Sequence, residues 1–94
     1  MSYSLTFKDS ALKEWGKLDA TVKEAFRKKL KERLENPHVE SAKLNGLNDC
    51  YKIKLRSVGY RLVYQVRDNE LVVSVIAVGK RDRNQVYKAA INRI

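Results

Sequence analysis

Cys50–Tyr51–Lys52–Ile53–Lys54–Leu55–Arg56 is the stretch that decides the fold. Its alternation of period two predicts a strand with Tyr51, Ile53 and Leu55 on one face and Lys52, Lys54 and Arg56 on the other. Three cations in a row on one sheet face repel one another and resist desolvation, so packing alone does not require them. An anion does.

Two further strands follow, over about 60–67 and 70–78. A loop of only Ser57–Val58 would set Lys54 opposite Arg61 and superimpose the apolar sets, whereas a slip of one residue would mix Lys54 with Leu62. Arg61 is therefore expected on the face of Lys52, Lys54 and Arg56. Asp68–Asn69 reads as a two-residue turn that puts Arg67 opposite Glu70. That register groups Tyr60, Leu62, Tyr64 and Val66 with Leu71, Val73, Val75 and Ala77. The nearly unbroken apolar run Leu71–Val78 suits the middle of a small sheet covered mainly on one side. Gly79 breaks it, and a last helix over about 83–93 turns Val86, Ala89, Ala90 and Ile94 inward.

The first half reads as one short strand and two helices. Tyr3–Phe7 is the strand. Ser10–Leu18 is a helix with Ala11, Leu12, Trp15 and Leu18 on one stripe and Asp9 as its cap. Thr21 and Glu24 have capping-box spacing for a longer helix to about Glu35, with Val22, Ala25, Phe26, Leu30 and Leu34 inward. Asn36–Pro37 stops it, and a polar connection containing a solvated His38 leads to Asp49. The order is β-α-α-β-β-β-α, an α+β fold. It is a small, twisted, mainly antiparallel sheet with two N-terminal helices on one face, a short C-terminal helix, and the opposite face partly open.

Ninety-four residues, 44% of them apolar, give one domain spanning residues 1–94, with one modest core. Neither a signal segment nor an apolar run long enough for a membrane span is visible, and a lone Cys50 cannot form an internal disulfide. A cytoplasmic protein without a membrane partner is expected. The net charge of +9 is uneven: residues 1–49 hold ten Lys/Arg against eight Asp/Glu, and residues 50–94 hold ten against three. Such asymmetry points to a polyanion or an acidic protein as partner.

Most enzyme classes fail on the residues present. No phosphate-binding glycine motif occurs, His38 is the only imidazole, and residues 50–67 hold no carboxylate. One Cys and one His cannot make a zinc site, so neither metal nor cofactor is expected. Cations and a tyrosine remain. They suit cleavage of RNA by its own 2′-OH, which needs a base, charge stabilisation on the phosphate and a proton for the departing 5′ oxygen. Lys52, Lys54 and Arg61 supply the sheet face. Arg81 follows Gly79, and Tyr87 projects from the last helix. Cys50 reads as a buried structural thiol.

With these residues in place, the chain resembles the RelE toxin family of bacterial toxin–antitoxin pairs over its whole length. The segments that carry the resemblance are A-L-K-E-W at 11–15, C-Y-K-I-K-L-R-S at 50–57, G-Y-R-L-V-Y-Q-V at 59–66, V-G-K-R at 78–81 and V-Y at 86–87. The resemblance implies a compact, barrel-like α/β sheet that cleaves mRNA in the ribosomal A site without metal. Its catalytic set falls on Lys52, Lys54, Arg61, Arg81 and Tyr87. Tyr87 or Lys54 would act as base, Lys52 and Arg61 would carry transition-state charge, and Arg81 would serve the leaving group. Arg56, Arg27, Lys28, Lys31 and Arg83 would be auxiliary contacts to RNA, including ribosomal RNA. Asn45 stands where the family often has Arg. A cognate antitoxin is implied as partner, one that shifts the last helix and removes Tyr87. The second reading is a non-catalytic module of the same fold that binds the ribosome or the antitoxin.

Overall fold

The computed structural model describes residues 2–82 and 84–94. Its elements are β1 (Ser4–Phe7), α1 (Asp9–Gly16), α2 (Ala20–Glu35), a 3-10 turn (Glu40–Ala42), β2 (Cys50–Leu55), β3 (Tyr60–Arg67), β4 (Val72–Lys80) and α3 (Gln85–Arg93). The strands form one sheet in the order β1-β4-β3-β2. Only β1 runs parallel to its neighbour; the other two pairings are antiparallel. This is the α+β architecture that the alternating strand and its flanking helices predict.

Helices cover both faces. On one, Ala11, Leu18, Val22, Phe26 and Leu30 from the helical half pack on Tyr51, Ile53, Leu55, Leu62, Tyr64, Val66, Val73, Val75 and Val78. On the other, Val86 and Ala90 of α3 pack on Cys50, Val63, Ile76 and Ala77. β4 is therefore covered on both sides, not mainly on one, which is why residues 73–78 are all buried. The second core is small. Complete burial of Val86 contributes about 2 kcal/mol, while Ile91 and Ile94 stay more than half exposed, so Ile94 does not turn inward.

Two caps differ from expectation. The Asp19 carboxylate accepts from the Val22 N–H at 2.9 Å and caps α2, so the Thr21–Glu24 box is not used. Thr21 lies inside the helix, and Asp19 stands three residues before Val22, within reach of its free N–H. Asp9 is the first residue of α1, whose N-cap is Lys8 with no side-chain capping bond. Leu12 is 54% exposed, because Ala11 takes the inward position.

The β2–β3 register is the predicted one, with Lys54 opposite Arg61 and Leu55 opposite Tyr60. The β3–β4 register is not. Arg67 pairs with Val72, not Glu70, because the connection is four residues long and closes through Leu71 at φ 55°. Arg67 instead approaches Glu70 at 3.8 Å within the turn. A shift of two residues leaves Val73 and Val75 on the predicted face. A bulge beyond Val75 then adds one residue, so Leu62 meets Val78 and Val63 meets Ala77. Ala77 thereby changes faces and Val78 takes its place.

Candidate active site

Strand alternation and hairpin register bring the cations together. Lys52 and Lys54 share one face of β2, and Arg61 stands across from Lys54 on β3. The bulge sets Gly79 opposite Arg61, and a Cβ there would lie 3.5 Å from Val86 Cγ2. The missing side chain leaves room for α3 at this end of β4. Gly59, at φ 70°, lets the hairpin connection close. Its carbonyl accepts from the Arg81 N–H at 2.6 Å, which ties the residue after β4 to the tip of the β2–β3 hairpin.

The result is a cleft of about 240 Å³ lined by Lys54, Leu55, Arg56, Gly59, Tyr60, Arg61 and Arg81. Tyr87 comes from α3, and its hydroxyl accepts from Arg61 Nη1 at 3.3 Å. The Arg61 guanidinium lies 5.3 Å from the centre of the same ring, close enough for cation–π attraction. Lys52 does not line the cleft, but it neighbours Lys54 along the strand. Its charge is the largest cause holding the Lys54 amine below the ordinary 10.5, followed by partial desolvation and the charges of Arg61, Arg56 and Arg81.

Other candidates lie elsewhere. Arg27 pairs with Glu24 at 3.5 Å and stands 6.0 Å from the Trp15 ring centre. Lys28 borders a separate depression with Ala20, Thr21 and Ala25, and Lys31 another with Leu5, Phe7 and Trp15. These α2 cations are not brought to the cleft. Arg83 lies outside the described residues. Asn45 is exposed beside Gly46 in the connection before β2.

His38 differs from the solvated histidine of the sequence reading. It bonds the Tyr51 hydroxyl at 3.1 Å and Asp68 Oδ1 at 2.8 Å, although it is half exposed. Burial, aided by the charge of Asp49, pushes the Cys50 thiol up to about 11. A thiol so protonated is a poor nucleophile.

Sequence reasoning passed over the residues that hold the site in shape. Arg33 Nη1 donates to the Lys52 carbonyl at 3.2 Å and to the Tyr64 hydroxyl at 2.9 Å, bracing the outer edge of β2. Only the glycines were visible signals, since Gly59 sits where a hairpin connection needs positive φ.

Comparison with known proteins places the chain and its fold in a family. A family model described as "ParE toxin of type II toxin-antitoxin system, parDE" matches residues 5–85. The mRNA interferase toxin RelE of Escherichia coli (strain K12) is 61% identical over 94 residues, which is 100% of this chain and 99% of that protein. The mRNA interferase RelE of Shigella flexneri matches to the same extent. Among solved structures, the free state of E. coli toxin RelE carrying R81A/R83A superposes with a TM-score of 0.93 at 58% identity, covering 100% of this chain and 99% of that one. In the intact E. coli RelBE toxin–antitoxin complex the match has a TM-score of 0.84 at 61% identity, over 87% of this chain and 100% of that one. This chain belongs to the RelE toxin family, within the RelE/ParE superfamily of type II toxin–antitoxin systems.

Proposed function

We propose that the protein is a ribosome-dependent endoribonuclease that cleaves mRNA in the ribosomal A site and so stops translation. The observation that carries this reading is the convergence of Lys54, Arg61 and Arg81 on one cleft, with Tyr87 held on Arg61 and no carboxylate among the described residues lining it. Such a site attracts a phosphodiester and leaves the nucleophile to the substrate. The names of the relatives from E. coli and S. flexneri, both called mRNA interferases, favour the same activity.

In this mechanism neutral Lys54 takes the proton of the 2′-OH, a role its lowered pKa favours. The 2′ oxygen attacks the adjacent phosphorus. Charge on the non-bridging oxygens is met by Lys52 and Arg61, and Tyr87 orients the attacking hydroxyl. Arg81 stabilises the departing 5′ oxygen, which takes up a proton from water, while Lys54 gives the proton it took back to solvent. The products are a 2′,3′-cyclic phosphate and a 5′-hydroxyl end. The positioning a small open cleft lacks would come from the ribosome, with Arg56, Arg27, Lys28, Lys31 and Arg83 as further RNA contacts. An antitoxin is the proposed protein partner, on the pattern of the E. coli RelBE complex.

Cleavage mapping on programmed ribosomes, with magnesium kept at the level that holds the ribosome together, tests this reading. A 2′,3′-cyclic phosphate end is expected. A 3′-hydroxyl end would rule out the substrate hydroxyl as nucleophile. Equal toxicity of the wild type and Arg81→Ala, with ribosome-bound mRNA intact, would leave the non-catalytic module as the better reading.

A further inference from the structure

The end of β1 leaves β4 with unpaired backbone groups that two charged side chains satisfy. β1 pairs with β4 only from Val72 to Val75, so beyond Val75 that edge of β4 has no strand beside it. Two of its backbone groups find side-chain partners instead. The Ile76 carbonyl accepts from Arg93 Nη1 at 2.8 Å, and the Val78 N–H donates to Glu14 Oε1 at 3.2 Å. The two side chains also bond each other, Nη1 to Oε1 at 2.8 Å and Nη2 to Oε2 at 3.1 Å. Fork-to-fork geometry of this kind is directional and strong. Arg93 is the last residue of α3, and Glu14 belongs to α1. Lys8 Nζ adds a bond to the Arg93 carbonyl at 2.9 Å.

This cluster lies at the C-terminal end of α3, while Tyr87 meets Arg61 near its N-terminal end. Along its whole length α3 buries only Val86 and Ala90 completely or nearly so. An apolar contact so small leaves a nine-residue helix prone to local opening, since short helices gain their stability mainly from packing.

We propose that the Glu14–Arg93 pair is a latch that positions Tyr87 on Arg61. It ties the far end of α3 to α1 and to the β4 bulge, so the helix cannot drift along the sheet or lift from it. Glu14 and Arg93 are positioning residues and touch no substrate. The inference rests on the nuclease reading only in its effect on cleavage; the latch itself is a property of the folded chain.

Hydrogen exchange of residues 85–93, the Arg61–Tyr87 contact seen by NMR, and single-turnover cleavage on ribosomes test it in Arg93→Ala and Glu14→Gln. Both variants should exchange α3 amides about tenfold faster or more, the effect of losing charge-assisted hydrogen bonds, with β2–β4 protection kept. The Arg61–Tyr87 contact should weaken, and the cleavage rate should fall while KM for ribosomes holds. Arg93→Lys, which keeps the charge but not the fork, should recover part of the protection. Unchanged α3 protection in both variants overturns the latch, as does faster exchange with the Arg61–Tyr87 contact and the rate intact. If exchange and contact respond as expected but the wild type does not cut mRNA, the nuclease reading fails and the latch stands.

Discussion

Arg61 holds Tyr87 twice, through a hydrogen bond from Nη1 to the phenol oxygen at 3.3 Å and through its guanidinium 5.3 Å from the ring centre. One residue comes from β3 and the other from α3, so this contact joins the cationic sheet face to a helix that the strand pattern says nothing about. Removing only the hydroxyl separates the two links. Tyr87→Phe should keep the ring contact, change stability by no more than about 1 kcal/mol, and slow single-turnover cleavage by about 10–100-fold through loss of orientation. An unchanged rate would exclude the hydroxyl from the reaction.

Lys54 is held below 10.5 chiefly by Lys52. A base must be neutral, so the cleavage rate should rise with pH through the Lys54 pKa. Lys52→Gln removes the leading cause, and the rising limb should move to higher pH. Lys54→Met should abolish the limb and slow the step by about 10²–10⁴. A limb that persists in Lys54→Met assigns the base elsewhere. For stability the sign is opposite to that of a salt-bridged lysine: the charged form is disfavoured in the folded chain, and that penalty is relieved as pH climbs through the lowered pKa towards 10.5.

Cys50 is fully buried, and its thiol is raised from 9.0 to about 11. A chromogenic disulfide reagent at pH 8 should leave the native protein unmodified and react fully after denaturation. Because the raised pKa favours the protonated folded state, its stabilising share is complete below pH 9 and is lost as pH rises towards about 11. Fast modification of the native chain would contradict this.

Asp19, rather than Thr21, caps α2. Asp19→Ala should lower the free energy of unfolding by about 1 kcal/mol, and Thr21→Ala should change it by no more than about 0.5 kcal/mol. Denaturant midpoints of the two variants decide the point. A larger loss from Thr21→Ala would restore the capping box.

Leu71 closes the β3–β4 connection at φ 55°, a conformation that costs a non-glycine residue about 1–2 kcal/mol. Leu71 is also 39% exposed, so little packing is lost on replacement. Leu71→Asn should raise stability by about 0.5–1 kcal/mol, read as a higher midpoint of thermal unfolding. A lower midpoint would show that its partial packing outweighs the backbone cost.

Much of this molecule was legible from residue order alone. Period two over residues 50–56 placed Lys52 and Lys54 on one face, because successive side chains of a strand must alternate. Matching the apolar sets of β2 and β3 then favoured Lys54 opposite Arg61, and that register holds although the connection runs over residues 56–59 and not Ser57–Val58 alone. Arg81, just past Gly79, and Tyr87, on the last helix, were candidates from the residues alone. Nothing in spacing ties that helix to the sheet, and only the resemblance to a family joined them to the strand cations as one set.

Tertiary structure decided the rest. Asp19 and Thr21 both have side chains able to cap, and only the actual helix start shows which one meets a free N–H. A turn of two residues and one of four are both compatible with Asp68–Asn69, and β4 pairs with β1 and β3 together, so its register answers to two neighbours at once. The bulge beyond Val75 has no local mark in an apolar run. It falls where β1 ends while β4 continues, and the backbone groups left on that edge are satisfied by Glu14 and Arg93. Residue order determined which cations share a face. Long-range satisfaction of the backbone decided where the helix bearing Tyr87 is held against them.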